Sequence, residues 1–407
     1  MSELAVPSVL VDFPVGYGHL TVNGFEGRWL NVVEPGKDPP AAVEIDLRNV
    51  KYLDQEFLLY LVALVSGRER QKLGTLLALP TASHSLDFLR SWGLPEALAT
   101  VTGRPFARLL TGESAARFST VDSDLPRYVR AIDTPGGGRE QLLPRSFFRI
   151  TPINLVDHTP EEAASIVKST HLDGHLQEVL NRHLYGRGEW WASEVMHEAV
   201  LNAGMHGGAT KSFTSSQLML GSPAEEARVP RELVMSIWDN GDSFAQTLQA
   251  AFRKHKSVWA PSFGLDDSEF RGMIEDKVTG TSGPLELSAR VRSMPKQQEL
   301  QILAAFFLGV TSLPLESGRA SRPGRRLTRA ALPRGAQEYG GAGLYLFRRT
   351  IIDSFRGSFM YASGPFRVRV HRKKDAKEYT ATVLRLRESD PQVHGNLLIA
   401  RVPLRTR

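Results

Sequence analysis

The pattern of apolar and polar positions predicts regular α/β structure at the start of the chain. Short apolar runs of strand length alternate with longer runs of helical periodicity. The predicted elements are a strand at residues 41–47, a helix at 57–70, a strand at 75–79 and a helix at 85–92. This alternation is typical of a small α/β domain, which we place at residues 1–112.

Residues 113–150 have the composition of a linker. They contain Gly136, Gly137 and Gly138 in a row, three prolines, and scattered Ser and Thr. Helical and strand patterns resume beyond residue 150. We therefore expect a second domain over residues 151–407.

Three stretches of this second domain have readable periodicity. Residues 233–237 are apolar and lead into a polar turn at 239–241, which predicts a strand that ends there. Val368 and Val370 alternate with arginines, which predicts a strand whose basic face is exposed. The long segment between residues 244 and 339 contains one amphipathic helical pattern, at 300–308.

Composition excludes several classes of protein. The 407 residues are 42% hydrophobic and 23% charged, which suits two packed domains rather than disorder throughout. Cysteine is absent, so disulfides, thiolate nucleophiles and cysteine metal sites are excluded. Glu3 and Asp12 stand where a signal peptide would be basic, and the longest apolar run, 302–310, is too short to span a bilayer. We expect a cytoplasmic location without membrane attachment.

Positive charge is concentrated in one part of the chain. The net charge is +6, yet fourteen Lys or Arg stand against two acids between Arg319 and Lys374. Such a region can meet ATP phosphates, an acidic protein or a nucleic acid, and it can also be a solvated basic face. The sequence leaves these alternatives open.

The candidate chemistry lies on a helix predicted at residues 191–205. The stretch has no Pro and a single Gly, and the Gly-Gly pair at 207–208 ends it. Glu198, Asn202 and His206 follow one another at four-residue steps, so one face presents a carboxylate, an amide oxygen and an imidazole. A polar stripe on a surface helix is the alternative interpretation.

This spacing resembles the N box of the GHKL ATPase superfamily, which includes gyrase B subunits, histidine kinases and anti-sigma-factor kinases. The box at residues 198–207 is most similar to the anti-sigma-factor kinases, because theirs also ends in His-Gly. Asp239 and Gly241 resemble the family's Asp-x-Gly-x-Gly box, with Ser243 in place of its last glycine. Residues 395–404 resemble its closing strand. The Gly-x-Gly-Leu box of the family is matched by Gly340, Gly341, Gly343 and Leu344.

The resemblance implies an ATP-binding α/β sandwich of the Bergerat type, with the segment between residues 244 and 339 as a long lid. Asp239 would accept a hydrogen bond from the adenine amino group, and the glycine loop would turn backbone N–H groups toward phosphate. Asn202 would be a ligand of Mg²⁺, and Glu198 would act as general base on an attacking hydroxyl. His206 would contact phosphate or have a structural role.

The first domain resembles a STAS domain, the fold of anti-sigma-factor antagonists. The resemblance rests on residues 43–47, 52–54 and 86–94. In that family an Asp-Ser pair at a helix entrance carries the phosphorylated hydroxyl, whereas here Asp54 is followed by Gln55 and Glu56. We therefore expect no phosphorylation at this site. Asp54 and Glu56 are interpreted as carboxylates that favour the positive end of the following helix, with a mimic of phosphoserine as the less favoured alternative.

Three functions remain as hypotheses. The first is an ATPase or protein serine/threonine kinase of the anti-sigma-factor kinase type, regulated through the STAS-like domain and a protein partner. The second is a nucleotide-gated interaction switch with little turnover. The third is an ATP-driven clamp on nucleic acid, which rests on the basic region alone. Homodimerisation is common in the family and is an expectation here.

Overall fold

The computed structural model of the chain describes residues 9–33, 38–120, 147–159, 162–163, 165–166, 199–200, 203, 208–220, 230–243, 247, 286–287, 347, 349–372 and 379–404. These residues form a mixed α/β structure, as the sequence predicts. The helices are α1 (Val22–Val32), α2 (Gln55–Arg70), α3 (Ser83–Ser91), α4 (Leu94–Thr102) and α5 (Gly112–Thr120), with a 3₁₀-helix at Phe106–Leu109 and a π-helix at Arg349–Ser354.

The described strands form three sheets. A parallel sheet has the order β1 (Val9–Val11), β3 (Ala42–Asp46) and β5 (Gly74–Ala78), and a second parallel pair joins β2 (Tyr17–Leu20) to β4 (Val50–Leu53). The largest sheet has eight strands in the order β6 (Phe147–Asn154), β7 (Lys211–Leu220), β8 (Pro230–Asp239), β13 (Val393–Pro403), β10 (Ser358–Gly364), β11 (Phe366–Arg372), β12 (Tyr379–Arg385) and β9 (Glu286–Leu287). Its neighbouring strands are antiparallel except β12 and β9, which are parallel.

The elements predicted from local periodicity are confirmed where the structure describes them. The four elements predicted between residues 41 and 92 are β3, α2, β5 and α3, each within two residues of its expected bounds. The apolar stretch at 233–237 lies inside β8, and the expected closing strand is β13. Both ends of the expected linker are regular structure, since α5 begins at Gly112 and β6 begins at Phe147.

Helix α2 is buried on every side because its sequence is apolar on every side. Its residues from Phe57 to Arg68 are all buried, and the helix contacts β5 on one side and β7, β8 and β13 on the other. Side chains from both halves of the chain, such as Phe57 and Trp238, belong to one core. The N-terminal residues therefore pack directly on the eight-stranded sheet, through α2.

The eight-stranded sheet has two faces with different neighbours, because successive side chains of a strand point to opposite sides. Trp238 of β8 and Leu397 of β13 face α2, and we call this side the α2 face. On the other side, the ring of Phe359 lies 5.1 Å from that of Phe347, centroid to centroid, and Ile351 of the π-helix is fully buried. The π-helix contacts β10, β11 and β13, so we call this side the π-helix face.

The prediction of an exposed basic face on β11 is wrong. The strand is present, but Arg367 is fully buried and its Nε lies 3.2 Å from Oε1 of Glu26 on α1. The same Glu26 oxygen accepts a hydrogen bond from the Tyr60 hydroxyl at 3.1 Å, and Arg369 lies 3.6 Å from the other oxygen. Arg367 stands opposite Ala362, a member of the α2 core, so its side chain points to the α2 face. Helices α1 and α2 cover it there.

The N-terminus of α2 carries Asp54 and Glu56 where the sequence predicts them, at the position before the helix and in its first turn. Asp54 occupies the position before the first helical residue, but its side chain makes no capping hydrogen bond. Instead Oδ1 lies 2.8 Å from Nε2 of His19, and Oδ2 lies 3.8 Å from Arg401 of β13. Arg401 also pairs with Glu56 at 2.6 Å. Burial raises the pKa of Asp54, against the opposing charges of His19 and Arg401. The two carboxylates thus join α2 to the sheet.

Gln55, the first residue of α2, is buried against the sheet. Its side-chain amide donates to Oγ of Ser236 on β8 at 3.2 Å and to Oγ of Ser215 on β7. The residue is 3% exposed.

Candidate functional site

Asp239 ends β8, and the turn after it is fixed by side chains rather than by an apolar core. Oδ1 of Asn240 accepts the backbone N–H groups of Thr210 and Lys211, each at 2.9 Å, and its Nδ2 donates to Oγ1 of Thr210 at 2.8 Å. The N–H of Gly241 donates to Oδ1 of Asp239 at 3.0 Å. This hydrogen-bonded turn is the polar segment that the sequence predicts, and it holds the Asp239 carboxylate in place.

Asn396 of β13 connects Asp239 to the next strand. It stands directly opposite Asp239 in the ladder, and its Nδ2 donates to Oδ1 of Asp239 at 3.2 Å and to the carbonyl of Asp242 at 3.1 Å. Its Oδ1 accepts the Tyr361 hydroxyl at 3.1 Å and the Ser363 hydroxyl at 2.8 Å, both from β10. The amide of Asn396 therefore has partners on both ends, and three strands share one polar cluster on the π-helix face.

The close approach of β13 to Asp239 requires a glycine. Gly395 has φ of +75°, in the left-handed region, and a Cβ at this position would lie 1.8 Å from the carbonyl oxygen of Asp239. No side chain fits in that space. Gly395 thus permits the strand spacing that brings Asn396 to the carboxylate.

Burial dominates the electrostatics of Asp239. The residue is 6% exposed, and desolvation raises the pKa of its carboxyl to about 7, although the hydrogen bonds from Gly241 and Asn396 act in the opposite direction. Burial also raises the pKa of Tyr361 well above its usual value, and the nearby charge of Asp239 adds to that shift. A buried carboxyl with a pKa near neutrality is a common feature of functional sites.

The two oxygens of Asp239 have different surroundings. Oδ1 accepts both donors, from Gly241 and Asn396. Among the described residues no donor reaches Oδ2. This oxygen is also not one of the side-chain atoms that are both fully enclosed and without a hydrogen-bond partner. The arrangement therefore presents one saturated oxygen and one oxygen that is able to accept a hydrogen bond from a ligand.

Ser243, the departure from the glycine pattern, is packed rather than exposed. It is 3% exposed and lies beside Gly364 of β10, where a Cβ would come within 3.1 Å of the Ser243 hydroxyl oxygen. Gly364 has φ of +54°. A hydroxymethyl group is therefore accommodated at position 243 because β10 ends in a glycine.

Most of the predicted site residues lie outside the described residues. Only Asp239 and Gly241 are described, and the backbone N–H of Gly241 donates to the Asp239 carboxylate. Residues 199, 200 and 203 of the predicted N-box helix are helical, with Val200 and Ala203 buried. The sequence-predicted residues that fall outside are Glu198, Asn202, His206, Gly340, Gly341, Gly343 and Leu344. The expected lid helix at 300–308 also falls outside.

The predicted ligand of Mg²⁺ is Asn202, which lies outside the described residues. Within them, no three His, Asp or Glu side chains lie close enough together to hold a metal ion. In the same part of the chain, no helix has the length and apolar composition needed to cross a membrane.

Sequence reasoning missed Asn396, Tyr361 and Ser363. The sequence does contain a pattern that indicates polar residues on one face of a strand. Asn396 is a polar residue inside the apolar closing strand, and Tyr361 and Ser363 alternate with Ala362. What the sequence lacked was the register that places Asn396 opposite Asp239, 157 residues away.

No protein-family model matches the chain, and neither do the curated proteins or the solved structures with which it was compared.

Proposed function

We propose that the chain binds Mg-ATP on the π-helix face and acts as an ATPase or a protein serine/threonine kinase of the anti-sigma-factor kinase type. The observation that carries this proposal is the Asp239 carboxylate, which is buried, oriented through Oδ1, and open to a donor at Oδ2. An adenine amino group is a donor of the required kind. In a site shielded from water, one such hydrogen bond to a carboxylate is strong and selective.

The chemistry of Asp239 fits adenine recognition better than acid–base catalysis. Oδ1 is occupied by Gly241 and Asn396, so only one oxygen is available, and the carboxylate is fixed at the end of a strand. Above about pH 7 the carboxyl is ionised, and its rigidity then suits discrimination between bases, because a base that presents a carbonyl in place of an amino group would meet the carboxylate without a proton between them. We therefore assign Asp239 to binding and specificity.

The remaining roles in the proposal come from the resemblance. Bound Mg-ATP would supply the phosphoryl group to be transferred. Asn202 would hold Mg²⁺, Glu198 would accept the proton of the attacking hydroxyl, and the glycine loop that begins at Gly340 would contact phosphate. His206 would lie beside the phosphates. The STAS-like N-terminal residues would carry the signal to a protein partner.

The proposal is tested by ATP binding and turnover, with and without Mg²⁺. Asp239→Asn is expected to reduce ATP affinity at least about tenfold, because its amide can turn a donor toward the adenine amino group. Asp242→Asn is the matched control, since it makes the same change three residues further on at an exposed site. Glu198→Ala is expected to bind ATP without turning it over, and Asn202→Ala to lose the magnesium dependence.

Equal ATP affinity in wild type, Asp239→Asn and Asp242→Asn would refute the adenine site. Preference for GTP over ATP in the wild type would refute the assigned role of Asp239. Slow turnover in the wild type that Glu198→Ala leaves unchanged would exclude catalysis and leave binding alone.

A nucleotide-gated switch is the second candidate, and one structural observation favours it. Strands β8 and β13 carry Asp239 and Asn396 on the π-helix face and contact α2 on the other face. A ligand that moves either strand must therefore act on α2. The nucleic-acid clamp has less support, because Arg367 is buried against Glu26 rather than exposed to a polyanion.

A further inference from the structure

The imidazole of His394 lies between the C-terminal end of α2 and the turn that follows β8. Its Nε2 lies 2.5 Å from Nη1 of Arg70 on α2 and 3.1 Å from the carbonyl oxygen of Asn240 in the turn. The backbone of His394 is fixed on both sides. Its carbonyl accepts the indole N–H of Trp238 at 2.6 Å, and a Cβ on Gly67 of α2 would lie 3.1 Å from its backbone nitrogen. The ring is therefore a direct polar connection between α2 and the turn.

The two contacts of Nε2 exclude each other. A ring nitrogen of histidine either carries a proton and donates a hydrogen bond, or carries a lone pair and accepts one. The guanidinium of Arg70 has donors and no acceptor, whereas the carbonyl of Asn240 is an acceptor and never a donor. The Nε2 atom of His394 therefore bonds to Arg70 when it is unprotonated and to Asn240 when it is protonated.

The protonation state of the ring decides between these two partners. The imidazolium has a proton on both nitrogens, so its Nε2 donates to Asn240, and its positive charge repels that of Arg70. The neutral ring has one proton. The charge-assisted bond from Arg70, which is the shorter of the two contacts, favours the tautomer with that proton on Nδ1. A fall in pH thus moves the hydrogen bond from α2 to the turn.

The Asn240 carbonyl leads directly to the Asp239 carboxylate. It belongs to the same peptide group as the N–H of Gly241, and that N–H donates to Oδ1 of Asp239 at 3.0 Å. A hydrogen bond to the carbonyl polarises the peptide group, which makes its N–H a stronger donor. A single peptide group therefore separates the ring of His394 from the carboxylate of Asp239.

The surroundings of His394 favour the neutral ring near pH 7. Partial burial lowers the pKa of His394 and the charge of Arg70 lowers it further, whereas the Asn240 carbonyl and the charge of Asp242 act in the opposite direction. Arg70 on α2 and Asp242 in the turn are the charged groups that act on the ring within the described residues. The ring therefore gains its second proton below the ordinary histidine value of about pH 6.5.

We propose that His394 is a pH-dependent positioning residue for Asp239. Its neutral ring bonds the start of β13 to Arg70 of α2, and its protonated ring instead bonds the peptide group between Asn240 and Gly241, which strengthens the hydrogen bond from Gly241 to Asp239. The backbone contacts of β13 stay in place in both forms, so the change is confined to one side chain and one peptide group. It is a property of the free protein, so it does not depend on the proposed ATP function.

The proposal is tested by NMR titration of the full-length protein without nucleotide, from about pH 8 down to about pH 4.5, a range that covers the ionisation of histidine. The chain contains two Asn-Gly pairs, at residues 23–24 and 240–241. Labelling Asn with ¹³C at the carbonyl and Gly with ¹⁵N therefore selects the N–H signals of these two glycines. Gly241 reports on the proposed connection, and Gly24, whose N–H donates to Oγ1 of Thr21, is the internal control.

Substitutions separate the contribution of His394 from that of the carboxyl group. In Asp239→Asn, which no longer titrates at this position, the Gly241 signal is expected to shift in one step at the pKa of His394. His394→Gln should remove this step. Arg70→Gln is expected to raise the pKa of His394, because it removes both a nearby cation and the donor that favours the neutral ring. Lys72→Gln, which removes an exposed cation two residues further on, is the matched control and should leave the pKa unchanged.

The ¹⁵N signals of the His394 ring, assigned by their absence from His394→Gln, show which nitrogen carries the proton. Above its pKa the wild-type ring is expected to be protonated on Nδ1, and in Arg70→Gln the proton should move toward Nε2, because Asn240 is then the remaining partner. A neutral wild-type ring protonated on Nε2 overturns the proposal. So does a Gly241 signal that ignores the protonation of His394, or a pKa of His394 that is the same in wild type and Arg70→Gln.

Discussion

Replacement of Asp239 by Asn is expected to stabilise the free protein while it weakens ATP binding. Asn is nearly isosteric with Asp and keeps an oxygen that accepts from Gly241 and from Asn396. It removes only the ionisation of a group that is 6% exposed. A residue retained at the expense of stability is typical of a functional site.

The size of the effect follows from the pKa of Asp239. Burial raises this pKa from 3.8 to about 7, and a shift of this size corresponds to about 4 kcal/mol. The unfolded chain loses its proton near pH 4, whereas the native protein keeps it until about pH 7. Stability therefore falls as pH rises through this window, and the full penalty is present above it. Asn pays no such penalty at any pH.

Urea unfolding of wild type and Asp239→Asn at pH 5 and pH 8 measures this penalty. The advantage of Asp239→Asn is expected to grow by about 3 kcal/mol between the two values, because most of the ionisation window lies between them. Asp242→Asn, which is exposed, should show no comparable growth. A difference that is the same at both pH values, or an Asp239→Asn protein less stable than wild type at pH 8, would refute the reasoning.

Two further substitutions test the packing around the sheet. Gly395→Ala places a Cβ 1.8 Å from the carbonyl oxygen of Asp239 and is expected to lower the free energy of unfolding by about 3 kcal/mol or more. Gly103→Ala, also at positive φ but in open space, should lower it by only about 1 to 2 kcal/mol. Equal losses of the two variants in urea unfolding would contradict this prediction. Arg367→Met leaves the Glu26 carboxylate buried without its closest cation and should cost about 3 to 5 kcal/mol. Adding Glu26→Gln should recover part of the loss, and strictly additive effects in the double-mutant cycle would show that the pair is not coupled.

Local periodicity was sufficient for elements whose burial is decided within a few residues. The run from Phe57 to Val65 is apolar on all sides; it predicts a helix, and the structure buries that helix completely. The alternation around β11 likewise predicted a strand. It did not reveal which side of that strand is covered, because the partner of Arg367 is Glu26, which lies 341 residues away. Arginines that alternate with valines give the same sequence pattern whether the arginine face of the strand is exposed to solvent or forms a buried ion pair.

The candidate site was predictable to the extent that its residues are close in sequence. Asp239 and Gly241 form a local turn, and their relation follows from the strand and the glycine after it. Asn396 and Tyr361 depend on strand register, which is decided by the pairing of β8, β13 and β10 over the whole sheet. The sequence shows that these side chains are polar, but it does not show that they meet in one cluster at the Asp239 carboxylate.

The same strands connect the two parts of the molecule that the sequence predicted separately. Asp239 belongs to the π-helix face, and its neighbour Trp238 lies in the core around α2, where its indole N–H donates to the carbonyl of His394 at 2.6 Å. Gly395, the next residue, touches the backbone of Asp239. Because this contact leaves no free space, a ligand that displaces the backbone of Asp239 is expected to move Trp238 and β13 with it. Any signal between the candidate site and α2 therefore has to cross only the thickness of one sheet.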